Sequence, residues 1–316
     1  MNDNRKTHLD ATAVLLLVAC SALWGVAQVA AKVGLAEIPP LLQAGLRSLG
    51  AALLLLAWSR ARGLPVLQAD GSTRAGLLAG SLFAAEFACI FVGLQYTSAS
   101  RMSVFIYLAP FVVAVGMPFL VKSERLGPLQ LAGLALAFAG VVWAYAEGFQ
   151  QPAAGPLQWL GDALGITAAL LWGLTTLTLR GSRLARALPE KTLLWQLGVS
   201  GVALSAASLL RGEAWPPSWS TLSLATLAFQ TVVISFASYL AWFWLLRHYP
   251  ATRISVFVLL TPVFGLLAGV GLLGETLTPR LVVALAAVCA GIALVNRPQR
   301  RVNVVTPPDP AAPAAR

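Results

Sequence analysis

Two stretches of this chain repeat one pattern at a nearly constant spacing, and that repeat restricts the fold to something built twice. Tyr96, Thr97, Ser98, Ala99, Ser100, Arg101, Met102, Ser103, Val104 and Phe105 lead on to Pro110, Glu124 and Pro128, while His248, Tyr249, Pro250, Ala251, Thr252, Arg253, Ile254, Ser255, Val256 and Phe257 lead on to Pro262, Glu275 and Pro279. Arg101 and Arg253, Ser103 and Ser255, Phe105 and Phe257, and Pro110 and Pro262 are each 152 residues apart. After a one-residue slip, Glu124, Leu126, Pro128 and Gly140 match Glu275, Leu277, Pro279 and Gly291 at 151. Leu23-Trp24-Gly25 and Leu171-Trp172-Gly173 open the two halves, so one unit occurs twice.

Composition then identifies the solvent. Hydrophobic residues make up 58% of the chain and charged residues only 11%, whereas soluble domains carry about 25% charged residues. With a mean hydropathy of +0.77, lipid is the natural medium. Apolar runs of about 20 residues, the length a helix needs to cross the hydrocarbon core, number ten. They cover 12–35, 39–59, 74–96, 99–121, 127–147, 157–180, 190–210, 222–246, 250–273 and 278–296. Their continuity and their Leu and Ala content predict helices and exclude a barrel of alternating strands. Arg5 and Lys6 precede the first run as in a signal peptide, but the run exceeds signal length and other spans follow, so it is expected to stay as the first helix.

The net charge of +10 carries topology rather than nucleic-acid binding, because the Arg residues are dispersed among short loops. With the N-terminus cytoplasmic, the inner segments hold Arg60, Arg62, Arg74, Lys122, Arg125 and Arg183 among others, and the outer turns hold only Arg101, Arg211 and Arg280. Both termini are then cytoplasmic. Five helices per half make the second half insert upside down relative to the first. The expected division is a cytoplasmic N-terminus at 1–11, a first five-helix repeat at 12–147 and an external linker at 148–156. A second repeat at 157–296 and a disordered Pro-Ala tail at 297–316 complete it.

The Tyr-Thr-Ser-Ala-x-Arg approach to helix 4, the proline in its middle and the Glu-x-Leu before helix 5, doubled along 12–296, resemble the EamA-type members of the drug/metabolite transporter superfamily. That resemblance implies an all-α integral membrane protein of ten helices, two inverted five-helix repeats around a central cavity. It also implies alternating access and export of amino acids or other small metabolites across a bacterial inner membrane.

Polar groups at membrane depth carry the mechanism, since a charge at a helix centre costs about 2.5–3.5 kcal/mol on the milder insertion scale. Glu86 lies midway along helix 3 among Ala84, Ala85, Phe87 and Ala88, and Arg47 in helix 2 is its expected partner. Two readings stand: a buried pair that holds helices together, or a site that meets the ammonium and carboxylate of a zwitterion, with Glu86 also exchanging protons. Lys32 is explained as well by snorkelling as by function.

Trp24 and Gln28, and Trp172 and Thr176, occupy one face of helices 1 and 6 and are candidates for the wall of the site, with plain packing as the rival. Gln43, Tyr107, Tyr239 and Trp242 are further binding candidates, ahead of Gln196, Ser235 and Ser238. Pro110 and Pro262 at mid-span predict kinks, either gating or fixed. Gly76 with Gly80, Gly161 with Gly165, and Gly265 with Gly269 predict close helix packing rather than a dimer.

No Lys follows a Gly, so a Gly-Lys phosphate loop is missing. His8 and His248 do not combine with Cys20, Cys89 and Cys289 into a metal centre, and no cofactor is expected. The resulting expectation is a secondary transporter, not an enzyme. A multidrug or sugar-phosphate carrier is the nearer alternative, and a membrane enzyme or scaffold the more distant one. Its partners would be a small solute, the bilayer and protons as a candidate coupling ion, with no nucleic acid, in a monomer or weak oligomer.

Overall fold

The computed structural model describes residues 6, 8–97, 99–146, 155–215, 218–265, 267 and 279–297. The side chains of Gln28 and Lys32, most of the 148–156 linker, Gly269, Glu275 and the 298–316 tail lie outside the described residues. Among those described, every regular element is helical. In chain order the α-helices are α1 (Ala11–Gly34), α2 (Pro40–Ala61), α3 (Thr73–Gly93), α4 (Ala99–Ile106), α5 (Ala109–Leu120) and α6 (Pro128–Ala144). They continue with α7 (Gln158–Gly181), α8 (Pro189–Leu210), α9 (Thr221–Phe229), α10 (Tyr239–His248), α11 (Ala251–Ser255) and α12 (Pro279–Val295). Pro40–Ala61, Thr73–Gly93, Gln158–Gly181, Pro189–Leu210 and Thr221–His248 are long and apolar enough to cross a membrane. Ala11–Ala27, Val104–Leu120, Pro128–Ala144, Ala251–Gly265 and Val282–Val295 are shorter apolar helices.

Helix ends follow local chemistry. Proline stands in the first turn of α2, α6 and α8, where its missing N–H leaves no bond unmade. Past the ends of α2 and α8, Gly63 (φ 65°) and Gly212 (φ 69°) adopt the left-handed turn that only glycine takes without strain. The N-terminus of α2 has no acid in its own first turn. Glu213, from the far end of α8, accepts the Leu41 N–H at 3.3 Å and the Leu42 N–H at 2.9 Å, satisfying orphan donors and opposing the helix dipole.

Three of the expected spans are irregular. The fourth stops at Tyr107–Leu108 and restarts at Ala109, with Pro110 in the first turn of α5. The ninth runs through α11 and a 3-10 segment, Val256–Leu260, before a helix resumes at 261 with Pro262 second. Neither proline bends a continuous helix in mid-span. Each sits where a new helix tolerates it. The eighth span is helical throughout, but its middle, Gln230–Ser238, is a π-helix joining α9 to α10.

Small residues set the packing. A Cβ built at Gly133 would lie 2.8 Å from the Gly291 carbonyl oxygen, and one at Gly140 3.0 Å from that of Ala284. Contacts that advance along α6 while retreating along α12 make these helices antiparallel. Gly45 against Ser205 and Gly201 against Leu49 do the same for α2 and α8. The glycines of the two Leu-Trp-Gly landmarks play one part: a Cβ at Gly25 would lie 2.7 Å from the Gly265 amide, and one at Gly173 2.5 Å from Val112 Cβ. Each lets its helix press against the restarted helix beyond Pro262 or Pro110. Gly76, Gly80, Gly161 and Gly165 face Trp195, Val199, Thr97 and Phe105, as packing glycines should.

Ion pairs close the ends. Arg180 pairs with Glu124, both buried, and also donates to the Leu246 carbonyl at 3.2 Å. The other Glu124 oxygen accepts the Thr252 N–H at 3.1 Å. One carboxylate thus ties the 4–5 turn, the end of α7 and the 8–9 turn. The repeated arginines stand at corresponding places with different partners: Arg101 holds Asp162 near the start of α7 (2.5 and 3.1 Å), with Thr97 donating to the same carboxylate at 2.7 Å, whereas Arg253 lies 3.0 Å from the His8 ring just before α1. Asp10 caps α1 at the Ala13 N–H and accepts from the Tyr249 hydroxyl at 2.8 Å. The Lys6 ammonium, Ala13 N–H and Tyr249 hydroxyl hold its carboxyl down at about 2, so it is ionised at any physiological pH.

Two outcomes follow for the purified protein. Gly291→Val places side-chain atoms against the Ala137 backbone (Cβ to N 2.6 Å) and should lower stability by about 1–3 kcal/mol, whereas Gly198→Ala, inside α8 with nothing within 4 Å of the new methyl, should leave the detergent melt unchanged or raise stability by about 0.5–1 kcal/mol. Glu124→Gln leaves Arg180 as a buried cation without its counter-charge and should cost about 3–5 kcal/mol, with Glu124→Leu/Arg180→Met recovering most of the loss. Equal melting points for Glu124→Gln and wild type would refute that role.

Candidate functional site

The interior polar site grows from an aromatic ribbon. Trp24 of α1 donates its indole N–H to the Ser238 hydroxyl at 2.8 Å, and that hydroxyl donates to the Ile234 carbonyl at 2.6 Å. With its one polar atom engaged, the indole presents an apolar surface. It meets Tyr239 and Trp242 edge-on at 5.9 and 5.2 Å between ring centroids. Tyr239 meets Phe83 at 6.1 Å, and Phe83 meets Phe87 at 4.8 Å. Edge-to-face geometry fixes each ring against its neighbour's face, so α1, α3 and α10 share one rigid wall.

Arg47 and Glu86 lie against this wall. The Arg47 guanidinium stacks over the Phe87 ring at 4.2 Å, where the ring's negative face stabilises a cation. Arg47 is 6% and Glu86 5% exposed. They interact coulombically, and Tyr239 faces both. Among the described residues no direct ion pair joins them, and the Arg47 Nε and one Glu86 carboxylate oxygen have no hydrogen-bond partner. Leaving a buried donor or acceptor unpaired costs about 1–3 kcal/mol, and more for a charge. The arrangement therefore leaves one polar atom of each side chain free to bond a third molecule.

The other expected residues lie around this centre. Gln43 is fully buried, donates to the Ala31 carbonyl at 3.3 Å and has an unpartnered oxygen. Tyr107 is buried at the break between α4 and α5 beside Thr261 and Tyr145, away from the charged pair. Trp172 packs half-buried on the main core, and the Thr176 hydroxyl turns back to the Trp172 carbonyl at 3.2 Å. Thus Trp24, Arg47, Glu86, Tyr239 and Trp242 come together, while Gln43, Tyr107, Trp172 and Thr176 are engaged elsewhere. Phe83 and Phe87 join them without being among the residues expected from the sequence. Their signal is the recurrence of Phe83, Phe87 and Phe91 every four residues beside Glu86 on one face of α3.

A separate cavity of about 370 Å³ opens between α5 and α6, lined by Phe111, Ala135, Phe138, Ala139, Val142, Trp143 and Ala146. Its apolar lining includes none of the charged groups, and it touches none of the expected site residues.

With fold and site in place, comparison with known proteins is direct. The chain is similar to an uncharacterized transporter of Archaeoglobus fulgidus, 30% identical over 263 residues that cover 83% of this chain and 87% of that one. It is 27% identical over 279 residues to a probable amino-acid metabolite efflux pump of Salmonella typhimurium (85% and 90% covered). It is 28% identical over 285 residues to the uncharacterized inner membrane transporter YedA of Escherichia coli (89% of each). A protein of known crystal structure shares the fold with a TM-score of 0.76 at 20% identity, covering 90% of this chain and 96% of the other. The model of the EamA-like transporter family matches residues 11–146 and 159–297, and the chain belongs to that family.

Proposed function

We propose that this transporter exports small zwitterionic solutes, amino acids or related metabolites, across a bacterial inner membrane by alternating access. The observation that carries the reading is the buried, mutually unjoined pair of Arg47 and Glu86 beside an aromatic wall. Arg47 takes the solute's carboxylate, and Glu86 takes its ammonium. Trp24, Tyr239 and Trp242 receive an apolar or aromatic side chain. A phosphate-bearing solute would want several cations where Arg47 stands beside an acid, and a purely cationic drug would be repelled by Arg47. The name of the Salmonella relative, a probable amino-acid metabolite efflux pump, agrees with this class.

Alternating access here rests on ten spans in two inverted repeats, 12–147 and 157–296, with both termini cytoplasmic. Antiparallel contact between repeat-related helices, α2 with α8 and α6 with α12, supports the inversion, as do the matching turns at Gly63 and Gly212. The clusters at Arg180–Glu124–Thr252 and Arg101–Asp162–Thr97 occupy opposite ends and open in alternation. The restarts at Pro110 and Pro262 are the hinges. Proton exchange at Glu86 couples the cycle to the membrane gradient.

Counterflow of a labelled aromatic amino acid in proteoliposomes tests the site. Losing one charge-assisted bond of about 1.5–3 kcal/mol should lower exchange about 10- to 100-fold in Arg47→Met and in Glu86→Gln. Analogues lacking the amino or the carboxyl group should compete poorly. Wild-type exchange in both variants would overturn the assignment.

A further inference from the structure

A second set of buried polar groups lies beside the substrate site without belonging to it. Gln43 is 0% exposed, Gln230 1% and Ser235 0%. The Ser235 hydroxyl, both polar atoms of the Gln230 amide and the Gln43 oxygen have no hydrogen-bond partner among the described residues. All lie on α2 or on the π-helical stretch of the eighth span. The two elements pack in register: a Cβ at Gly50 would lie 2.8 Å from the Thr231 methyl, and Trp58 meets Phe236 at 6.3 Å between centroids. Gln230 therefore stands at the level of Leu49 and Gly50, and Gln43, Arg47 and Gly50 share the face of α2 turned to the π-helix. The π-helix contributes directly. Its wider turn spaces the buried positions at Gln230, Ile234 with Ser235, and Ser238, keeping polar groups on the buried side. Such segments concentrate at functional sites.

Left dry, each of these groups would cost about 1–3 kcal/mol, a sum a marginally stable protein does not carry. Several unpartnered donors and acceptors in a row are what a buried water needs, at two to four polar contacts each. We infer that the seam between α2 and the π-helix holds a file of water that carries protons from the outer face to Glu86. Its outer end lies by Gln43, which meets Ala31 and Gly34 near the end of α1. Its inner end is the Arg47–Tyr239–Glu86 cluster.

A hydronium in the seam gives its proton to the Glu86 carboxylate and leaves water. The carboxylic acid later releases that proton to the opposite side, when the site faces it. The groups facing Glu86 are Arg47 on α2, Tyr239 on α10 and Cys89 on α3. On α7 and α8, which also pack on α3, Asp162 and Arg180 are held by Arg101 and Glu124, and Lys191 is held by Asp70 at 2.8 Å while Glu190 stands in the first turn of α8. The carboxylate therefore answers to Arg47, Tyr239 and the water file. Protons thereby have a path separate from that of the larger solute. The inference rests on the assignment of Glu86 above.

The experiment uses the full chain in proteoliposomes. Gln230→Leu and Ser235→Ala should reduce uphill, pH-driven transport at least tenfold, with counterflow in the absence of a pH gradient unchanged. In a background with Cys20, Cys89 and Cys289 replaced, Ser235→Cys should react from outside with a small impermeant cationic thiol reagent, while lipid-facing Leu53→Cys should not. Full pH-driven transport in both seam variants, or an unreactive Ser235→Cys in protein that still exchanges solute, would overturn the water file. Loss of counterflow in Glu86→Gln with no pH-driven transport in wild type would leave the substrate site standing and also overturn the proton path. Intact counterflow in Glu86→Gln would remove the substrate assignment, on which the path depends.

Discussion

Close approach of helix backbones at small residues is the constraint from which the rest of this structure follows. In lipid no hydrophobic force draws apolar helices together, so packing density and hydrogen bonds must do so. At Gly133, Gly140 and Gly291, α6 and α12 come within contact of each other's carbonyls, and Gly45 and Gly201 bring α2 to α8 in the same way. Around these pairs, Gly25 and Gly173 seat the first helix of each half against the restarted helix of the other half's pattern. That seating leaves Trp24 facing Tyr239 and Trp242 rather than lipid.

Buried charge is handled in two ways. At the ends, Glu124, Arg180, Arg101 and Asp162 are joined to opposite charges across two or three turns, which offsets part of the desolvation of each ion. In the middle, Arg47 and Glu86 are left with unpartnered atoms, and Gln230 and Ser235 repeat that condition without charge. An interior optimised only for stability would fill the centre with Leu and Phe, as the lipid-facing helix surfaces already are.

Much of this was legible in the chain. Apolar runs locate helix ends to within a few residues because a charge, proline or glycine interrupts hydropathy where the membrane ends, as at Arg60, Pro128 and Pro189. Glu86 and Arg47 stand out because ionised groups are costly at depth. The breaks at Tyr107 and Val256 were not legible, since a proline in an apolar run is equally compatible with a kink and with a restart. The π-helix leaves no mark in composition. That Thr176 bonds to its own helix while Ser238 engages Trp24 depends on rotamers, and a periodicity of 3.6 carries no information about them.

The inverted duplication underlies every functional statement here, and sidedness tests it most directly. Ala69, between α2 and α3, and Ala214, between α8 and α9, are exposed and follow the matched turns at Gly63 and Gly212. In sealed cells expressing a chain otherwise free of cysteine, Ala214→Cys should react with a membrane-impermeant maleimide from outside. Ala69→Cys should react only after the membrane is permeabilised. Labelling of both from the same side would contradict the account.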